Sequence, residues 1–86
     1  MKKIHCKHGL NAKEEIQARR LKTSVLEGEE RYFEERLKKV FNVYKTKRNE
    51  SFYEYILNND KVLYSVFERI GGIKKMYYYL EKYNLL

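Results

Sequence analysis

Eighty-six residues and 10.6 kDa make one small domain, too short for a two-domain enzyme or for a fold that encloses a large cofactor. Nineteen Lys and Arg against twelve Asp and Glu give a net charge of +7, and 43 % hydrophobic residues supply enough apolar material for a core, which argues against a disordered chain. With no proline and only four glycines the chain lacks the usual punctuation of β-rich and proline-helix proteins, so helices are the expected elements.

Residues 1–9 read as a basic, flexible arm carrying Lys2, Lys3 and Lys7, and residues 10–86 as a single helical domain. No apolar run follows the charged start, so a secretion signal is not expected. The lone Cys6 cannot form an intrachain disulfide, which points to a reducing, cytoplasmic setting. His5, Cys6 and His8 place three potential metal ligands within four residues. A structural zinc site needs four, and no other Cys or His completes the set, so neither a metal nor any other cofactor is expected.

Asn11 followed by Glu14 has the spacing of a capping box and predicts a helix over 12–22. Its apolar residues point two ways, Ile16 with Ala12 and Ala18 with Leu21 and Val25, which predicts packing on two sides or loose docking. Ser24 with Glu27 offers a second cap. From there Leu26, Phe33, Leu37, Val40, Phe41 and Tyr44 share one side of a 3.6-residue period, predicting the longest helix, to about 47, with Gly28 as an early kink or as the separating loop. Glu34 with Lys38 and Glu35 with Lys39 are spaced for ion pairing along it. Ser51 and Glu54 predict a short helix on which Phe52, Tyr55 and Ile56 face inward. Asn58-Asn59-Asp60 ends it, and Asp60 caps a helix over 61–70 with a core stripe of Val62, Leu63, Val66, Phe67 and Ile70. Gly71-Gly72 supplies the turn into a last helix over 73–84, expected to bury Ile73, Met76, Tyr77 and Leu80. The fold class is therefore all-α: a small bundle of four to five helices with a long central helix and a C-terminal pair in helix-turn-helix order.

The charge is uneven. Residues 37–48 carry Lys38, Lys39, Lys45, Lys47 and Arg48 with no acidic residue among them, a surface suited to phosphates. On the last helix Lys74, Lys75, Tyr78 and Lys82 lie opposite the expected core stripe, where cations meet phosphates and rings stack on bases. These nine residues are the expected contacts of a small, basic, non-catalytic protein that binds DNA or RNA, with a homodimer or larger complex needed for sequence-specific reading. The glutamates at 29, 30, 34 and 35 read as a solvated, salt-bridged face, and no phosphate-cradling loop is present, so an enzyme is not expected. The rival expectation is a protein-binding inhibitor or adaptor that docks on a larger protein or ribonucleoprotein complex through Tyr53, Tyr64, Tyr78 and Tyr79. No segment is long and apolar enough to imply a membrane partner. The wealth of Lys, Asn, Ile, Tyr and Phe suits an A+T-rich genome, such as that of a low-GC bacterium or of a phage or mobile element within one.

Overall fold

The computed structural model describes residues 9–47 and 50–86. Most of the N-terminal arm, including Lys2, Lys3, Lys7 and the His5, Cys6 and His8 group, and also Arg48, lies outside the described residues. Among those described, the chain forms five helices and no strand: α1 (Ala12–Leu26), α2 (Arg31–Lys47), α3 (Phe52–Asn59), α4 (Lys61–Ile70) and α5 (Ile73–Lys82). The all-α bundle read from the sequence is the fold.

The caps explain where most helices begin. The Asn11 side chain accepts from the Glu14 amide at 2.8 Å while the Glu14 carboxylate accepts from the Asn11 amide at 3.1 Å, satisfying two donors that the first turn of α1 would otherwise leave unpaired. Ser51 accepts from the Glu54 amide at the start of α3, and Asp60 accepts from the Leu63 amide at the start of α4. The Ser24 and Glu27 pair behaves differently. Helix α1 runs on to Leu26 and closes with amides of Gly28 and Glu29 donating to the carbonyls of Val25 and Ser24, the pattern that needs a left-handed residue just past the helix end. Gly28 supplies it with φ of +85°. Ser24 thus ends one helix instead of starting the next, α2 begins only at Arg31, and Leu26 is exposed outside the α2 stripe.

Helix α4 is the centre of the bundle, packing most extensively on α1 and also on α3 and α5. Ala18 of α1 and Ser65 of α4 are both small and wholly buried, which lets two backbones approach closely. Helix α1 buries one side only, through Ala18, Leu21 and Val25, and leaves Ile16 half exposed, so of the two expected alternatives, packing on two sides or loose docking, the first does not occur.

The apolar stripe of α2 is used at two levels. Phe33 meets Phe67 of α4 and Tyr79 of α5, with ring centroids 5.4 and 5.1 Å apart in edge-to-face geometry. Phe41 and Tyr44 pack on Phe52 of α3, at 5.1 and 5.0 Å, and the Tyr44 hydroxyl donates to the Glu50 carbonyl at 2.8 Å. Phe33 and Tyr44 lie roughly 16 Å apart along the helix at 1.5 Å per residue, so α2 spans the bundle from the α5 side to the α3 side.

Two details of α5 differ from the sequence expectation. The helix ends at Lys82, where Asn84 with φ of +60° lets the Leu85 amide donate back to the Leu80 carbonyl. Its buried residues are Met76, Tyr79 and Leu80, whereas Ile73 and Tyr77 are exposed. The apolar period admitted either of two faces, and the Phe33 and Phe67 rings select the one that carries Tyr79.

Candidate nucleic-acid interface

The turn at Gly28 folds α2 back beside α1 and leaves an open trough of about 1310 Å³ between them. One wall comes from Gln17, Arg20, Leu21 and Ser24 of α1, spaced i, i+3, i+4, i+7. The other comes from Tyr32, Glu35, Arg36 and Lys39 of α2, with the same spacing. Arg19, Thr23, Val40 and Asp60 complete the lining. Four cations therefore face two carboxylates.

The charges of the trough are not equally engaged. Arg36 reaches Asp60 through two parallel hydrogen bonds, Nε to Oδ2 and Nη2 to Oδ1, both 2.9 Å, so a planar guanidinium grips the carboxylate that also caps α4. Arg19 donates to Glu15 at 3.0 Å. Among the described residues no carboxylate lies within ion-pair distance of Arg20 or Lys39. The Glu35 and Lys39 pair expected from the spacing does not form, although Glu34 and Lys38 do pair, at 2.8 Å. Tyr32 is 72 % exposed at the rim, and among the described residues no other ring, no cation and no hydrogen-bond partner meets it.

The nine residues expected to contact nucleic acid fall into several places. Lys39 stands in the trough, and Lys38, one residue earlier, lies about 100° around α2 and is held by Glu34. Lys45 and Lys47 are exposed at the α3 end of α2 and have no ion partner among the described residues. On α5, Lys75, Tyr78 and Lys82 do come together: the two ammonium groups sit 5.0 and 5.9 Å from the Tyr78 ring centroid. Lys82 is also bound to Glu30 at 2.9 Å, beside the Tyr83 hydroxyl, which donates to the same carboxylate at 2.7 Å. Lys74 is exposed and without an ion partner among the described residues. Since α5 meets α2 at the Phe33 level, its cation cluster and the Lys45 and Lys47 pair do not form one surface. Arg48 lies outside the described residues.

Burial pushes the Glu30 carboxyl up, but hydrogen bonds from Lys82 and Tyr83 outweigh it and hold the group below its ordinary value; the same carboxylate raises Lys82. Tyr83 is pushed well above the usual phenol range by burial and then by Glu30. Tyr53 is raised in the same way by burial and by Glu68, to which its hydroxyl donates.

Of the four tyrosines expected as docking anchors, only Tyr78 is exposed. Tyr53 and Tyr64 are half-buried against each other with centroids 4.9 Å apart, and Tyr79 belongs to the core. Sequence reasoning did not single out Arg20 and Tyr32. The signal was available in the matched i, i+3, i+4, i+7 faces on either side of Gly28, but only a hairpin at that glycine turns two surface stripes into one trough. Among the described residues no group of three or more His, Cys, Asp or Glu stands close enough to hold a metal ion, and no helix is long and apolar enough to cross a membrane. No protein-family model, curated protein or solved structure matches this chain.

Proposed function

We propose that this small helical protein binds nucleic acid without acting on it chemically, and that the trough between α1 and α2 is the principal contact. The observation that carries the reading is the unneutralised pair Arg20 and Lys39 on opposite walls of one groove, which the exposed ring of Tyr32 also lines. Cations without a protein carboxylate are free to neutralise phosphates and so to release the counterions condensed on the nucleic acid, which is the main source of sequence-independent affinity. The volume of the trough exceeds the roughly 300–1,000 Å³ typical of small-molecule pockets, and one side is open, which suits a polymer that enters and leaves along its length. Lys45 and Lys47 further along α2, together with the basic residues 2, 3 and 7, add positive potential that steers a polyanion toward the protein.

The test is binding of labelled DNA and RNA oligonucleotides by fluorescence anisotropy at about 50 and 200 mM salt. Binding in the micromolar range or tighter that weakens steeply with salt, and that is lost when Arg20 and Lys39 are both changed to Glu, supports the reading. Absence of binding at the lower salt concentration overturns it.

A second reading, docking on a protein, is favoured by one observation: Ile73, Tyr77 and Tyr78 are each 44 to 51 % exposed on neighbouring positions of α5. Rings and aliphatic groups presented together are the usual anchors of a protein interface.

A further inference from the structure

Resting on the reading of the trough as a nucleic-acid site, we infer that it takes a single strand and not a duplex, with a base stacked on Tyr32 and the flanking phosphates on Arg20 and Lys39. The trough is concave, a gap between two neighbouring helices. A duplex is read by elements that protrude, a helix or ribbon entering a major groove about 12 Å wide; over a recess it would touch only the rims. A single strand is narrow enough to lie within. The ring makes the stronger argument. Tyr32 stands nearly free of the protein, and no aromatic or cationic group already covers it. Inside a duplex every base face is stacked on another base, so a lone ring finds nothing to cover, whereas a single strand offers such a face at every nucleotide.

The rest of the lining fits that arrangement. Leu21 and Val40 are half-buried and give the trough an apolar flank for the sugar and base edges, while Thr23 and Ser24 add hydroxyls. Arg36 is occupied by Asp60 and so does not compete for the strand's charge. Glu35, at the rim next to Lys39 in helical register, is the one carboxylate of the lining without an ion pair, and it repels phosphate. DNA and RNA strands share the bases and phosphates this geometry uses, and the test separates them.

The experiment compares the full-length chain on four labelled probes by anisotropy: oligothymidylate and oligouridylate of about 15 nucleotides, within the span such grooves cover, a hairpin duplex of similar length, and polyglutamate. The expected result is binding to one or both single strands at least about tenfold tighter than to the duplex. A salt slope of roughly −1.5 to −3 is expected, since each neutralised single-strand phosphate contributes about −0.7. Tyr32→Ala should weaken single-strand binding about five- to hundredfold, Tyr32→Phe should restore it, and Glu35→Gln should strengthen it by a few-fold. Because Tyr32 is 72 % exposed and makes no ring, cation or hydrogen-bond contact among the described residues, the alanine variant should keep the parent's melting temperature within about a degree or two, which a thermal scan confirms. Duplex binding as tight as single-strand binding, with Tyr32→Ala neutral on both, overturns the inference while leaving the nucleic-acid reading in place. Binding of polyglutamate alone, or of no probe, overturns both.

Discussion

The α1–α2 trough and the outer face of α5 are built from the same materials, lysines or arginines beside a tyrosine, and differ in how far the protein has already used them. On α5 the Tyr78 ring has Lys75 and Lys82 near its face, and Lys82 is tied to Glu30. In the trough, among the described residues, Tyr32 meets no other ring, no cation and no hydrogen-bond partner, and neither Arg20 nor Lys39 meets a carboxylate. A cation with an internal partner must give it up before it can bind a phosphate, and a ring that already carries a cation gains less from a second cover. Composition alone ranks the two surfaces equally. Their ranking comes from internal satisfaction, which depends on what lies across the fold.

Asp60 is the place where that comparison can be broken most forcefully. Its carboxylate caps α4 and grips Arg36 in the trough, so it joins the stability of the central helix to the charge of the site. Asp60→Ala removes both interactions and should cost about 2–4 kcal/mol, combining a lost cap with a broken, partly buried ion pair. For a chain of this size that corresponds to a fall in Tm of roughly 10–20 °C by calorimetry. Asp60→Asn keeps an acceptor for the Leu63 amide and loses the negative charge, so it should cost only about 1 kcal/mol. It also frees Arg36, and phosphate affinity in the trough should rise. If Asn proves as damaging as Ala, the ion pair and not the cap dominates at this site.

Charge reversal in pairs measures the difference between the two surfaces directly. Arg20→Glu with Lys39→Glu should weaken oligonucleotide binding about ten- to hundredfold near 0.1 M salt. Lys74→Glu with Lys75→Glu changes the net charge by the same amount on α5 and should cost less than about threefold, since what it disturbs is mainly long-range attraction. Equal losses from the two pairs would mean that the protein acts as a diffuse positive body without a defined groove.

Much of the fold was legible in the sequence because its signals are local. The Asn11/Glu14 box, the Ser51 and Asp60 caps and the core stripes of α3 and α4 each depend on residues within a turn or two, and each appears in the structure. What misled was ambiguity that only packing resolves. Ser24 and Glu27 match a helix start as well as a helix end, and Gly28 decides it by taking the left-handed conformation. Ile73 with Tyr77 matches a core stripe as well as Met76 with Tyr79 and Leu80 does, and Phe33 of a distant helix makes the choice. The trough was hidden for the same reason: each wall alone is an ordinary polar helix face, and Lys38 and Lys39, adjacent in sequence, point to different sides of α2.

Ser65 separates stability from binding. It is wholly buried on the face-rich central helix, and its hydroxyl has no hydrogen-bond partner among the described residues. Burying a hydroxyl without a protein partner is unfavourable, so Ser65→Ala should raise stability by about 1 kcal/mol. The larger Ser65→Leu should overpack the core and destabilise it by about 1–3 kcal/mol. Urea midpoints distinguish the two, and the alanine variant should leave oligonucleotide affinity unchanged because Ser65 does not line the trough.

Glu30 tests whether the α5 face is quiet because its charge is already used. Its carboxylate receives Lys82 and Tyr83 and thereby ties the end of α5 to the start of α2. Folding holds Glu30 below the ordinary carboxylate value of 4.5, despite the opposing effect of burial, so its contribution is complete above that value and fades as pH falls through the lower folded-state value. Glu30→Gln should therefore lower Tm by a few degrees at neutral pH, and the gap between variant and parent should close in acid, below the ordinary value. A gap that persists there would assign the loss to packing around Tyr83 instead of to charge. In the same variant Lys82 is released beside the exposed Tyr78 ring, which moves α5 toward the unengaged state of the trough. Oligonucleotide affinity should then rise slightly, and the rise should survive Arg20→Glu with Lys39→Glu, because it comes from α5, which contributes no residue to the trough lining.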